Sequence, residues 1–214
     1  MGAHILKSIS RTYLIYLIVL VAIFIFVYLL TTVQEVVAFE SYQLKLIAEL
    51  RTSNLTDVFI FITGFGDEYL VFSVFLVIAV FVLRRDFFHG LYIFITVALG
   101  YFVTLLLKNI FSRPRPDITA LFFVPQYSFP SGHVMNSMIF YGICIALVYH
   151  LSVRRSLKYV FSLILLALIL LVGASRVYLG VHYPTDVLGG YISGLAWLMG
   201  MRLVYIWLDK KRGA

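Results

Sequence analysis

Three short clusters of polar residues in this chain carry the types of side chain that phosphoryl transfer needs. They contain a lysine, three arginines, two histidines and an aspartate, and they span Lys108 to Pro116, Pro130-Ser-Gly-His133, and Ser175-Arg176 to Asp186. Lysine and arginine bind phosphate oxygens, whereas a histidine can attack phosphorus or move a proton. Each cluster lies at the end of an apolar run, where charges are costly unless they act together. The clusters therefore predict a phosphatase site that faces one side of a membrane.

The third cluster has the spacing of a histidine nucleophile that is oriented by a carboxylate. Pro184 is favoured in the first turn of a helix, so His182 precedes that helix and Asp186 lies one turn into it. An aspartate that accepts one ring N–H fixes the tautomer and leaves the other nitrogen free to attack. Arg176 supplies a cation. A lone His–Asp pair is more often structural, but a pair that shares a face with three cations and a second histidine favours catalysis.

The second cluster begins the next helix and predicts an anion site. We expect Ser131 to cap this helix, which leaves first-turn amides pointing at a ligand. Gly132 would let the ligand approach the backbone closely, and His133 could give a proton to a departing oxygen. By itself the cluster is equally consistent with a capped helix and a histidine at the level of the lipid headgroups.

The first cluster predicts cations that are held at set positions. Lys108 ends an apolar run, and the prolines around Arg115 stop the helix and stiffen an extended exit. Arginine offers a planar fork of donors to phosphate, and lysine offers a compact charge. Taken alone, the cluster would more simply be a basic stretch that meets anionic headgroups, with Lys108 reaching out of the bilayer.

The composition indicates an integral membrane protein. The 214 residues are 62% hydrophobic and 13% charged, with a mean hydropathy of +1.00. Soluble domains are about half apolar and about a quarter charged. We predict a single membrane-embedded domain over residues 1–214. The net charge of +7 favours anionic lipid headgroups over nucleic acid, because the cations lie in short loops between apolar runs.

Six apolar runs predict an all-α bundle of six transmembrane helices. The predicted spans are about 13–33, 67–83, 87–107, 131–151, 159–174 and 187–208, of which the second and fifth are short. The longest segment between spans, 34–57, would be a helix in the outer interface or a connector packed on the bundle. Its charged residues, Glu40 among them, interleave with apolar ones. Asp67 is expected to cap the second span.

The basic residues of the loops predict the orientation. One side carries Lys7, Arg11, Arg84, Arg85, Arg154, Arg155, Lys158, Lys210, Lys211 and Arg212. Because positive residues concentrate on the cytoplasmic side, this side and both termini are expected to be cytoplasmic. The three clusters then lie on the opposite face, outside the plasma membrane.

The three clusters resemble the signature of the type-2 phosphatidic acid phosphatase superfamily, also called the lipid phosphate phosphatases. That signature is Lys, six residues, Arg-Pro; then Pro-Ser-Gly-His; then Ser-Arg, five residues, His, three residues, Asp. Its eleven specified positions all occur here in order, from Lys108 to Asp186. The six-span layout extends the resemblance over nearly the whole chain, and the short chain looks like the bacterial branch of the family.

The resemblance implies a role for each residue of the signature. His182 would attack phosphorus and form a phosphohistidine, Asp186 would orient and activate it, and His133 would protonate the leaving group. The residues that would hold the phosphoryl oxygens are Lys108, Arg115, Ser131, Gly132 and Arg176. The family needs no metal, so we expect no cofactor, and the sequence has no obvious carboxylate cluster for Mg²⁺.

Several alternatives compete with this interpretation. The bacterial branch includes phosphatidylglycerophosphate phosphatases and undecaprenyl pyrophosphate phosphatases, and we expect a glycerolipid phosphate as the substrate, narrowly ahead of undecaprenyl pyrophosphate. A phosphotransferase could use the same site with an acceptor other than water. A transporter would place charges near the bilayer midplane, beside broken helices, whereas these spans are nearly free of charge. The oligomeric state has no signal in the sequence.

Overall fold

A computed structural model describes residues 2–117, 120–150 and 154–212, and these residues form eight helices and no strand. The helices are α1 (Gly2–Leu30), α2 (Gln34–Glu49), α3 (Ser53–Gly64), α4 (Glu68–Leu83), α5 (Phe87–Phe111), α6 (Gly132–His150), α7 (Arg155–Tyr178) and α8 (Pro184–Arg212). The prediction of an all-α fold is confirmed. Six helical stretches among these residues are long and apolar enough to cross a membrane, as predicted.

The bounds of the second predicted span are wrong. The apolar stretch runs from Ser53 to Leu83 and includes both α3 and α4, which a turn at 65–67 separates. The sequence Thr63-Gly-Phe-Gly-Asp67 resembles a loop, so the prediction began the span only after it. The fifth span extends into its flanking residues, as α7. The predicted end of the fourth span, residue 151, lies outside the described residues.

The segment 34–57 is largely helical and contacts the bundle. Its helix α2 packs against α7, and α3 begins at Ser53, within the predicted segment. Glu40, one of the charged residues that interleave with apolar ones in this segment, is buried, as is Leu44. Arg113, from the loop after α5, forms an ion pair with Glu40, and the helical periodicity of the sequence could not predict this distant partner.

The helices α6 and α8 pack closely at the centre of the bundle, and small residues make this possible. A Cβ at Gly190 would lie 2.8 Å from the carbonyl oxygen of Ser131, and one at Gly194 would lie 2.9 Å from that of Met135. Two glycines four residues apart leave one face of α8 without side chains, and small residues at this spacing are known to allow close helix contacts in membranes. This close contact brings the N-terminal ends of α6 and α8 together.

A cluster of aromatic rings anchors the loop between α5 and α6. Phe129, which has no exposed surface, packs against Phe24 and Tyr28 of α1 and against Phe111 of α5. The helix α5 ends at Phe111, and the next residue, Ser112, takes a left-handed backbone conformation before the first proline. The residues on both sides of Phe129 are thereby held against the ends of the helices.

Candidate active site

The two side chains that the third cluster predicts to meet, His182 and Asp186, lie close together. His182 lies in the short loop before α8, and its Nδ1 is 3.4 Å from Oδ2 of Asp186 and 3.3 Å from Oγ of Ser128. Its Nε2 is 3.1 Å from Nη1 of Arg115. Because a guanidinium can only donate, Nε2 must be the unprotonated nitrogen and Nδ1 carries the proton. His182 therefore presents a lone pair towards the cationic side of the site.

The charge state of His182 suits a nucleophile. Burial, followed by the positive charges of Arg115, Lys108 and Arg176, holds the pKa of His182 well below its ordinary value of 6.5. The imidazole is therefore neutral at neutral pH, as attack on phosphorus requires.

Asp186 is fully buried and surrounded by donors. Oδ2 accepts hydrogen bonds from the hydroxyl of Ser128 and from the backbone N–H of Tyr183, at 2.9 Å for the latter. Oδ1 accepts one from Nη1 of Arg113, at 2.6 Å. The backbone carbonyl of Asp186 also accepts from the N–H of Ser131, at 2.9 Å, which ties α8 to the start of α6. The carboxylate is thus held in one orientation relative to His182.

Lys108 and Arg115 converge on the loop that precedes α6. Nζ of Lys108 donates to the carbonyl oxygen of Tyr127 at 2.6 Å. Arg115 donates to the carbonyl oxygens of Gln126 and Val181, each at 2.6 Å. Lys108 is buried, so it does not reach out of the bilayer to a headgroup, and the cations of the first cluster face the histidine of the third. Burial lowers the pKa of Arg115 to about 10, so its guanidinium stays charged at neutral pH.

Two polar groups of the site are buried without a hydrogen-bond partner in the described residues. These are Oγ of Ser131 and Nε of Arg176. The prediction that the Ser131 side chain caps α6 is therefore wrong. Nη1 of Arg176 donates to Oγ1 of Thr63, at 2.7 Å. Unsatisfied buried donors are costly in a resting protein, and both are suited to an anionic oxygen.

Gly132 lies where the backbone approaches the cations closely. A Cβ at this position would be 3.3 Å from Cγ2 of Thr104 and 3.5 Å from Cε of Lys108. A side chain at this position would therefore crowd Thr104 and Lys108, and the close approach of a ligand to this backbone stays a prediction.

His133 faces the break between α3 and α4. Its Nε2 is 3.5 Å from Oδ2 of Asp67, and a Cβ at Gly66 would lie 2.9 Å from its own Cβ. Asp67 occupies the predicted N-cap position of α4, but its side chain makes no capping hydrogen bond there. The side chain of His133 is one-quarter exposed, which leaves it accessible to an incoming group.

The structure thus brings all eight predicted site residues to one end of the bundle. They come from the C-terminal ends of α5 and α7 with the loops that follow, and from the N-terminal ends of α6 and α8 with the loops that precede them. They are His182, His133, Asp186, Lys108, Arg115, Ser131, Gly132 and Arg176. Among the described residues, no group of three or more His, Cys, Asp or Glu side chains is arranged to hold a metal ion.

Sequence reasoning missed three contributors to the site. Ser128 lies two residues before the second cluster, and nothing in its residue type distinguishes it from other loop serines. Arg113 was grouped with the first cluster but given no role, and Glu40 was named only as a charged residue of the segment 34–57. Ser128 and Arg113 bond directly to Asp186, from which they are 58 and 73 residues distant in the sequence. Glu40 contacts Asp186 indirectly, through its ion pair with Arg113.

Comparison with known proteins agrees with this geometry. The model of the PAP2 superfamily matches residues 89–212. Phosphatidylglycerophosphatase B of Bacillus subtilis is 36% identical over 149 residues, which cover 68% of this chain and 73% of the relative. The undecaprenyl-diphosphatase of Sulfolobus acidocaldarius is 25% identical over 199 residues, which cover 88% and 89% of the two chains.

A solved structure extends the match to the fold. The crystal structure of the transmembrane PAP2-type phosphatidylglycerolphosphate phosphatase from Bacillus subtilis superposes with a TM-score of 0.82 at 29% identity, and covers 91% of this chain and 96% of the other. The matched family region includes every residue of the three clusters. The chain therefore belongs to the PAP2 superfamily and is an enzyme of its membrane lipid phosphatase class.

Proposed function

We propose that this enzyme hydrolyses a phosphomonoester or pyrophosphate of a membrane lipid through a phosphohistidine on Nε2 of His182. One observation carries the proposal: the neutral imidazole has its Nδ1 side turned to Asp186 and Ser128, and its Nε2 lone pair faces a cationic group. Covalent phosphoryl transfer requires a nucleophile that is oriented on one side and directs its lone pair towards the cations that bind the phosphate.

Binding of the lipid phosphate begins with Arg115. In the resting structure its Nη1 occupies the space in front of Nε2 of His182. The phosphoryl oxygens compete for this guanidinium and draw it away from the ring, so that phosphorus can approach the lone pair. Nε of Arg176 and Oγ of Ser131, which are buried without partners among the described residues, donate to further oxygens.

Transfer proceeds in two balanced steps. In the first, Nε2 of His182 forms a bond to phosphorus, the bond from phosphorus to the lipid oxygen breaks, and protonated His133 gives its proton to that oxygen. In the second, neutral His133 takes a proton from water as the water oxygen attacks phosphorus, and the bond to Nε2 breaks to release phosphate. Lys108, Arg115 and Arg176 stabilise the charge that develops on the phosphoryl oxygens in both steps.

A glycerolipid phosphate of the phosphatidylglycerophosphate or phosphatidic acid type is the substrate that we favour. The more similar of the two relatives described above is named for phosphatidylglycerophosphate, and the structural match carries the same activity in its description. Undecaprenyl pyrophosphate is the alternative, because the Sulfolobus relative is named for it. A phosphotransferase would use the same first step with an acceptor other than water.

The loop charges support one orientation of the site in the membrane. We infer one membrane-embedded domain in a bacterial plasma membrane, with both termini cytoplasmic and the active site on the outer face. The lipid tail would stay in the bilayer while the phosphate reaches the end of the bundle. Positive residues at the opposite end, such as Arg84, Arg85 and Arg154, support this orientation.

The decisive experiment is phosphate release by the purified protein in detergent. The substrates are phosphatidylglycerophosphate, phosphatidic acid and undecaprenyl pyrophosphate, each with EDTA present. His182→Ala should abolish release, whereas His89→Ala, a change at a histidine that pairs with Asp86 at the start of α5, should retain it. Release that requires an added acceptor would favour a phosphotransferase, and release by His182→Ala would refute the assigned nucleophile.

A further inference from the structure

A buried carboxylate on α2 lies outside the three clusters and is bonded on both oxygens. Oε1 of Glu40 accepts from the backbone N–H of Thr185 at 2.7 Å and from its hydroxyl at 2.8 Å. Oε2 accepts from Nη2 of Arg113 at 2.8 Å, and only 3% of the Glu40 side chain is exposed. Burial of a charge is costly unless partners compensate it, and here every partner belongs to the surroundings of Asp186.

Arg113 joins this carboxylate to the catalytic pair. Its Nη1 donates to Oδ1 of Asp186 at 2.6 Å and to the hydroxyl of Thr185 at 2.8 Å, while its guanidinium lies 4.2 Å from the centre of the Tyr183 ring. Burial opposes its charge, but Asp186 and Glu40 outweigh that effect and raise the pKa of Arg113. A permanent cation therefore lies between two buried carboxylates.

This arrangement divides the oxygens of Asp186 between two tasks. Arg113 takes Oδ1, so Oδ2 remains for Ser128, the N–H of Tyr183 and Nδ1 of His182. Without the fork of Arg113, the carboxylate could rotate about its Cβ–Cγ bond and lose its alignment with the ring. Glu40 fixes the second arm of the same fork, and its bonds to Thr185 hold it to the first turn of α8.

We propose that Glu40 and Arg113 are positioning residues for the reaction, which hold Asp186 against His182 and make α2 a functional part of the active site. The proposal rests on the proposed function for its kinetic consequences. It goes beyond the three clusters, because Glu40 belongs to a segment that precedes the matched family region.

The charges of Glu40 and Arg113 predict changes in the pKa of His182 that a merely structural role would not produce. The groups that face His182 are Asp186, Lys108, Arg115, Arg176 and His133. Arg113→Gln leaves Asp186 without its counter-ion, so protonated His182 becomes more stable and its pKa rises. Glu40→Gln leaves the full charge of Arg113 to Asp186, so the pKa of His182 falls. Because only neutral His182 attacks, the acid limb of kcat/KM should move in opposite directions, by on the order of one pH unit each.

The experiment compares four variants with the wild-type protein in detergent. Glu40→Gln and Arg113→Gln are expected to lower kcat about tenfold to a hundredfold, the range known for partners of metal-bound histidines, with KM changed less than about threefold. The double variant Glu40→Gln with Arg113→Gln restores the net charge, so its acid limb should return towards the wild-type position while kcat stays low. The matched control is Glu35→Gln, an exposed carboxylate of the same helix, which should behave as wild type.

Side-chain ¹⁵N NMR of the histidines separates this inference from the proposed function. It reads the tautomer and titration of His182 without turnover, so it decides the matter even if no lipid in the panel is hydrolysed and the proposed function fails. Opposite shifts of the His182 titration in the two single variants would support positioning through charge and orientation. Unshifted titrations, or shifts in one direction, would overturn it, as would wild-type kcat in Glu40→Gln.

Discussion

Replacing Asp186 with asparagine removes one charge and changes one oxygen into a donor, with almost no change of shape. The structure surrounds this carboxylate with donors: Nη1 of Arg113 on Oδ1, the backbone N–H of Tyr183 on Oδ2, and the Ser128 hydroxyl, also on Oδ2. An asparagine amide must therefore point its NH₂ group at one of these donors. Only the Ser128 hydroxyl can reverse its role and accept.

Both orientations of the amide damage the site. In either orientation the buried guanidinium of Arg113 loses the charge of Asp186, and with NH₂ towards Arg113 it also loses its hydrogen-bond acceptor. With NH₂ towards Tyr183, Nδ1 of His182 is driven to accept a hydrogen bond, so the proton moves to Nε2 and the nucleophilic lone pair is lost. Each charge-assisted hydrogen bond that is lost costs about 1.5–3 kcal/mol, or about 3–6 kcal/mol for two. The corresponding tautomer error in the serine protease triad costs about 10⁴-fold.

We therefore expect Asp186→Asn to lower kcat/KM by about 10²–10⁴-fold, since each tenfold in rate corresponds to about 1.4 kcal/mol. The assay is phosphate release in detergent with the best lipid of the panel, normalised to the folded fraction from a thermal unfolding curve. Asp209→Asn, an exposed aspartate near the far end of the same helix, is the matched control and should keep wild-type kinetics. A loss smaller than about tenfold in folded Asp186→Asn would refute the assignment of Asp186 as the group that orients the nucleophile.

Four other changes test separate parts of the site. The acid limb of kcat/KM for the wild-type enzyme should lie below pH 6.5, because burial and the nearby cations lower the pKa of His182 and activity falls only when the ring protonates; a limb above that value would contradict a neutral resting imidazole. Arg176→Lys should raise KM about tenfold in steady-state kinetics, because a lysine lacks the buried Nε donor. Phe129→Ala should cost about 3–5 kcal/mol in thermal or chemical unfolding, because the ring fills the cluster with Phe24 and has no exposed surface. Gly190→Ala should cost about 1–3 kcal/mol and reduce turnover, because its Cβ would meet the immobile carbonyl oxygen of Ser131 at 2.8 Å; unchanged stability would show that the two helices can separate without penalty.

Some of this protein is local in origin and could be predicted from the order of residues. The pairing of His182 with Asp186 depends on one helical turn that begins at Pro184, so spacing alone predicts it, and the two side chains do meet at 3.4 Å. The spans likewise follow from composition, because lipid offers the backbone no hydrogen-bond partner and forces each long apolar run into a helix. The stop of α5 two residues before Arg113-Pro114 is equally local.

The sequence predictions failed at polar residues that could serve either the backbone or the active site. The residues around Asp67 resemble the loop before a span, yet they interrupt one long apolar stretch and face His133. Ser131 has the sequence context of a helix cap, but its hydroxyl is kept without a partner among the described residues. In both cases a polar residue that local rules assign to the backbone is directed at the site instead.

Only the tertiary structure decided which charged residues, distant in the sequence, form buried pairs. Glu40 and Arg113 are 73 residues apart, and each looks like a surface charge in its own segment. They become a buried pair because α2 folds back onto the start of α8, where Asp186 and Thr185 complete the set of partners. A local sequence pattern records which groups share a helical turn. The compensation of a buried charge depends on three-dimensional proximity, so the second layer of this active site is a property of the folded chain alone.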